Sequence, residues 1–159
     1  MIEDIPDILI VDAEKSDIEF MLEALNTYKL TSKVKVLQDG GIALDYLFAA
    51  GEYSGRDTSK QPKVIILDLK LPKVNGVEVL RKVRSNEMTR TIPVVVFTSS
   101  SSDEDLNRIE CYKLGANSYI VKPADYDSFV KAIVDIGFYW MSHNVPFIED
   151  SDTSYKRHR

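Results

Sequence analysis

Five short apolar runs punctuate the chain, at residues 8–11, 34–37, 64–67, 94–97 and 119–121. The first, third and fourth offer no polar position to turn toward water, so each requires burial on both faces, as in the central strands of a parallel sheet. Between the runs the apolar period lengthens to that of helices. Ile18, Met21, Leu22 and Leu25 make one stripe, preceded by Ser16 as N-cap with Glu19 three residues on. Residues 41–50 carry Leu44, Leu47 and Phe48, and residues 75–84 direct Val77, Leu80 and Val83 inward. A fourth helix over 103–114 groups Cys111 with Leu106, Ile109 and Leu114, and a fifth, starting near Tyr126, sets Phe129, Val130, Ile133 and Val134 on its core side. Strand and helix alternate five times, which predicts an α/β fold with a parallel sheet covered on both faces.

One interval breaks the rhythm. Residues 51–62 hold two glycines, a proline and several polar side chains, a connection about twice the usual median length. It reads either as a tolerated surface insertion or as a functional loop.

The residues that follow the strands carry the chemistry. The first run ends on Asp12, the third on Asp68, the fourth on Thr98 and the fifth on Lys122-Pro123. Ligands bind at the carboxyl edge of an open α/β sheet, so two acids, a hydroxyl and an amine reach one rim. An acid after a strand is ordinarily a helix cap or a solvated loop residue. Four complementary groups in this order ask for a further reason.

Together these segments resemble the receiver domain of two-component response regulators. The resemblance runs from about Asp7 to about Trp140. It rests on Ile8 to Asp12, Leu67-Asp68-Leu69-Lys70-Leu71-Pro72 with Gly76 after it, Val96-Phe97-Thr98-Ser99, Gly115-Ala116, and Tyr119-Ile120-Val121-Lys122-Pro123. It implies a flavodoxin-like, doubly wound five-stranded parallel sheet in the order 2-1-3-4-5. It also implies that Asp68 accepts a phosphoryl group from a phosphohistidine and that Lys122 contacts a phosphoryl oxygen, its loop fixed by a Pro123 that is often cis in this family. Thr98 is expected to bond another phosphoryl oxygen, Tyr119 to turn inward as Thr98 moves, and Ser100 to tune the site.

Magnesium completes such sites through oxygen ligands in near-octahedral geometry. The family supplies an acidic pair at the end of the first strand and the carbonyl two residues after the phospho-acceptor. Here the pair reads Asp12-Ala13, so the directly ligating acid is missing, and the carbonyl belongs to Lys70. The Lys70 ammonium either approaches the pocket or swings to solvent. Like charges about 4 Å apart at an effective dielectric near 20 repel by roughly 4 kcal/mol, so an inward Lys70 would strongly disfavour a divalent ion. Glu14, one residue past the gap, is a substitute with longer reach. The expected ligands are Asp12, Asp68, the Lys70 carbonyl and Glu14, with magnesium binding weakened by Ala13 and by any inward turn of Lys70. Two versions of the function follow: a working phospho-acceptor, or a pseudo-receiver that binds partners without phosphorylation.

With 159 residues, 44% of them apolar, the chain suits one domain. We expect a receiver over 1–143 and an extension over 144–159 that is partly disordered, so that output is a contact made by the receiver itself. A net charge of −5 with scattered positive residues gives little support to a nucleic-acid surface. The basic tail Lys156-Arg157-His158-Arg159 reads as a disordered terminus. No apolar run reaches the roughly 18–20 residues of a membrane span, and the acidic start Met1-Ile2-Glu3-Asp4 is no signal peptide, which together predict a cytoplasmic protein. A lone Cys111 excludes an intrachain disulfide. Two histidines, His143 and His158, both after the last helix, leave no histidine triad or phosphohistidine carrier.

Residues 136–141 are unusually aromatic for a helix end, and Val145-Pro146-Phe147-Ile148 continues them. Phe138, Tyr139, Trp140 and Phe147 either cover the protein's own sheet edge or form an interface. The resemblance implies a sensor histidine kinase as partner and a homodimer through the fourth helix, fifth strand, fifth helix and extension. The long loop and the extension are similar to single-domain regulators that serve phytochrome-type kinases. A phosphatase of the haloacid-dehalogenase type also places an aspartate after a buried strand, but it needs an acid two residues later, where this chain has Lys70. A nucleotide-binding flavodoxin-like module needs a glycine-rich loop, and none follows Val11 or Leu67.

Overall fold

The computed structural model describes residues 5–147; Met1 to Asp4, Ile148 and the basic tail lie outside the described residues. The strands are β1 (Ile8–Val11), β2 (Val34–Leu37), β3 (Val64–Leu67), β4 (Val94–Thr98) and β5 (Ser118–Val121). The helices are α1 (Lys15–Thr27), α2 (Gly40–Phe48), α3 (Gly76–Arg84), α4 (Glu104–Lys113) and α5 (Tyr126–Phe138), the last continuing into a π-helical turn, Tyr139–His143. All strands pair in parallel in the expected order β2-β1-β3-β4-β5.

Every residue of β1, β3 and β4 is buried, and the period of two sends alternate side chains to opposite layers. Leu9, Val11, Ile65, Leu67 and Val96 meet Leu47 of α2, Val79 and Leu80 of α3 and Cys111 of α4. Ile10, Ile66, Val95 and Phe97 meet Met21 and Leu25 of α1 and Phe129 and Ile133 of α5. Each fully buried side chain contributes about 1.5–3 kcal/mol. The middle of the sheet is therefore its firmest part, and the residues following β1, β3 and β4 are held by it.

Several local expectations need correction. Ser16 does not cap α1: Asp12 Oδ1 accepts the Glu14 N–H at 2.8 Å, which turns the chain early and makes Glu14 the N-cap, while the Ser16 hydroxyl donates to Glu14. Helix α2 stops at Phe48 rather than at residue 50 because Ala49 takes a left-handed conformation with φ 54°. Asn75 is the N-cap of α3 rather than its first residue, accepting the Glu78 N–H; Leu80 and Val83 are buried as expected, but they are joined by Val79, and Val77 is only partly covered. On α4, Cys111 is buried whereas Leu106 and Ile109 are 69% and 50% exposed. At about 100° per residue Ile109 lies roughly 200° from Cys111 and Leu106 roughly 140°, so neither shares a face with Cys111. The peptide bond before Pro123 is trans.

The connection over 51–62 is tied down. A short 3₁₀ turn, Gly51–Tyr53, begins it. Arg56, 9% exposed, then reaches back to donate to the carbonyls of Tyr46 and Lys60, with its guanidinium 3.9 Å from the centre of the Tyr46 ring. Gln61 donates to the carbonyls of Leu47 and Thr58. Arginine and glutamine thereby donate to carbonyls in the C-terminal turn of α2, Tyr46 and Leu47, and tie the connection to that helix.

Candidate functional site

The four strand exits converge as the hydrophobic pattern requires. Lys122 stands at the centre, its side chain 4% exposed, with Nζ donating to Asp12 Oδ2 at 2.8 Å and to Asp68 Oδ2 at 3.2 Å. A third carboxylate, Asp17 in the first turn of α1, accepts from the same nitrogen at 2.8 Å. Asp17 lies outside the set that the strand exits predict. An acid in a first helical turn is ordinarily explained by the helix dipole, and the one cue to another role is that α1 begins directly beside the exit of β1.

Asp68 is fixed from two further sides. Its Oδ1 accepts the Thr98 hydroxyl at 2.6 Å and the Leu69 N–H at 2.8 Å. Gly76 makes this packing possible: a Cβ there would lie 2.2 Å from the Asp68 carbonyl oxygen and 2.6 Å from Leu69 Cα. The first turn of α3 thus sits directly on the backbone that carries Asp68. Tyr119, on β5 opposite Val96, is half-buried against the core layer of α2, α3 and α4.

Not every expected residue joins the cluster. Glu14 is exposed and bonded to Ser16, because its backbone has turned to be captured by Asp12. Lys70 is exposed, so its ammonium stays out of the pocket. Ser100 is exposed and donates to Glu104 on α4. Ala13 is partly exposed. Phe138, Tyr139 and Phe147 are 50%, 50% and 64% exposed, while Trp140 packs against the α1 and α5 layer.

The charges are unevenly matched, three carboxylates to one ammonium. Burial pushes Asp12 up to about 6, its bond to Lys122 opposing the shift only in part. Burial works to lower the basicity of Lys122, but the bonds it donates to Asp12 and Asp17 and the charges of Asp12 and Asp68 outweigh it and hold Lys122 above the ordinary lysine range. Burial also raises Tyr119, and it pushes the Cys111 thiol up to about 11.

Among the described residues no three acidic, histidine or cysteine side chains are arranged to hold a metal ion. What the rim offers is two carboxylates at the strand ends, Asp12 and Asp68, both within reach of Lys122 Nζ. That donor set fits magnesium, which retains several waters and takes one or two carboxylates. Among the described residues, no helix is long and apolar enough to cross a membrane.

A doubly wound sheet whose rim gathers two strand-end aspartates, a threonine and a lysine defines the receiver class, a fold used for signalling rather than for turnover of substrates. Residues 8–134 match the response regulator receiver domain family, and the chain belongs to it. It is 38% identical over 86% of its length to the probable methanogenesis regulatory protein FilR2 of Methanothrix harundinacea, covering 84% of that protein. It is 35% identical over 84% of its length to the response regulator Rcp1 of Synechocystis, covering 88% of it. The Mn²⁺-bound structure of Rcp1 superposes with a TM-score of 0.79 at 31% identity, over 89% of this chain and 99% of that one. The phosphorylated cyanobacterial phytochrome response regulator RcpA superposes with a TM-score of 0.78 at 34% identity, over 87% and 96%. Family membership displaces the phosphatase and nucleotide-binding readings.

Proposed function

We propose that the protein accepts a phosphoryl group on Asp68 from the phosphohistidine of a sensor kinase and signals through a surface that responds to it. The observation that carries this reading is the joint hold of Thr98 and Lys122 on the two oxygens of one buried carboxylate, at 2.6 and 3.2 Å. An oxygen of Asp68 attacks phosphorus, the P–N bond to the imidazole breaks, and the leaving imidazole keeps the electron pair and takes up a proton. Lys122 then meets one phosphoryl oxygen and the Thr98 hydroxyl another, and the hydroxyl's departure from Asp68 Oδ1 opens space for Tyr119 to turn inward. Asp12, Asp68 and the Lys70 carbonyl would hold magnesium, whose charge offsets that of the phosphoryl group.

The kinship with phytochrome response regulators, together with the secured loop over 51–62, favours a phytochrome-type kinase as donor. The signalling surface comprises α4, β5 and α5, where Leu106, Ile109 and Tyr112 are exposed, with Phe138, Tyr139 and Phe147 beyond them as a dimer contact. Ala13 favours a second reading, a pseudo-receiver whose partners bind without phosphorylation. Intact-mass measurement after incubation with acetyl phosphate or phosphoramidate, with and without magnesium, separates the two. An adduct present in the wild type and lost in Asp68→Asn supports the phospho-acceptor; no adduct with either donor or with a phosphorylated kinase supports the pseudo-receiver.

A further inference from the structure

We infer that Asp17 is a positioning residue for Lys122, holding the ammonium ready for a phosphoryl oxygen and keeping it from closing on Asp68; the inference rests on the phospho-acceptor reading above. An ammonium has three hydrogens to donate, and three carboxylate oxygens surround Nζ here. Asp12 and Asp17 lie at 2.8 Å and Asp68 at 3.2 Å. The longest contact is the one to the phospho-acceptor.

Asp12 follows β1 and Asp17 lies in the first turn of α1, the element that comes next, whereas Asp68 follows β3. The pair draws the ammonium toward α1. Glu14 takes no part, being turned to Ser16, and position 13 is an alanine. Asp17 thus supplies a carboxylate beside the gap at position 13, and directs it to the lysine. Charge-assisted bonds of this length are the strong ones, so removing one shifts the balance of the other two. Without the Asp17 charge, Nζ settles on Asp68. A carboxylate so paired is a poorer nucleophile, and the ammonium is less free to meet the incoming phosphoryl group.

Two readouts test this on the full chain. Lysine ¹⁵N labelling reports the Lys122 ammonium directly: Asp17→Asn and Asp17→Ala are each expected to move its resonance and hasten its exchange with water, and an unmoved resonance in both overturns the inference. With phosphoramidate as donor, the maximal rate of Asp68 labelling is expected to fall about tenfold in Asp17→Asn at an unchanged half-saturating concentration, and to recover in Asp17→Glu. An unchanged maximal rate overturns the inference equally. If the resonance moves but the wild type itself takes up no phosphoryl group, the phospho-acceptor reading fails while Asp17's hold on the ammonium stands.

Discussion

The Thr98 hydroxyl lies 2.6 Å from Asp68 Oδ1, a hydrogen bond between the ends of two adjacent buried strands. The hydroxyl is therefore engaged before any phosphoryl group arrives, and phosphorylation must take it from one acceptor and give it to another. Thr98→Val keeps the shape and removes the donor. Asp68 should still be labelled, but the ring resonances of Tyr119 should stay at their unphosphorylated positions. A full wild-type shift of Tyr119 in that variant would remove Thr98 from the switch.

Gly76→Ala places a methyl group against the Asp68 carbonyl and Leu69 Cα, backbone atoms that cannot rotate away. Helix α3 must then lift from the exit of β3. We expect a loss of about 2–3 kcal/mol in urea unfolding, together with slower labelling of Asp68. Unchanged stability would mean that α3 moves freely on the sheet.

Asp12 gives stability a pH signature. An acid whose folded pKa is raised to about 6 binds its proton more tightly folded than unfolded, so its contribution improves as pH falls from 7 toward 5 and levels off near the unfolded value. The gain between pH 7 and 5 is about 1 kcal/mol. Other carboxylates titrate in the same range, so the measurement is the difference between the wild type and Asp12→Asn at the two pH values. That difference should change by about this amount in favour of the wild type on acidification; a constant difference would place Asp12 in the ordinary range.

Ala13→Asp places an acid next to Asp12, at a partly exposed position beside the rim. Magnesium affinity measured by calorimetry should rise about tenfold, because a further carboxylate replaces water in the ion's shell, and the labelling rate should rise with it. No gain would mean that Asp12, Asp17 and Lys122 already set the electrostatics of the pocket. Lys70→Ala, which changes an exposed side chain, should leave affinity nearly unaltered.

Arg56→Ala should separate stability from chemistry. It removes two bonds to carbonyls and the stacking on Tyr46, at an expected cost of about 2–3 kcal/mol. Limited proteolysis within residues 51–62 should speed up while labelling of Asp68 holds. Impaired labelling would tie this loop to the rim.

The sheet was legible because residues 8–11, 64–67 and 94–97 are apolar without exception, a pattern only two-sided burial tolerates, and the ends of these runs, with that of β5, named Asp12, Asp68, Thr98 and Lys122. Contacts made by long polar side chains were not legible. Asp17 meets Lys122 across 105 positions of sequence, and neither its type nor its spacing separates it from the other acids of α1. The same holds for Arg84, whose guanidinium joins the carbonyls of Gly115 and Ile92 to the Asn117 side chain. The stripe on α4 misled because apolar residues on that helix serve two surfaces, Cys111 the core and Leu106 and Ile109 the outside.

The burial of Cys111 has a practical side. The thiol is 0% exposed and its pKa is pushed up to about 11, so at neutral pH it is both out of reach and un-ionised, and maleimides require a reachable thiolate. The natural chain is in effect cysteine-free toward such reagents. One cysteine introduced at an exposed position such as Met88, 57% exposed, would accept a fluorophore or spin label selectively, and the conformational response to phosphorylation becomes measurable without first removing a core side chain.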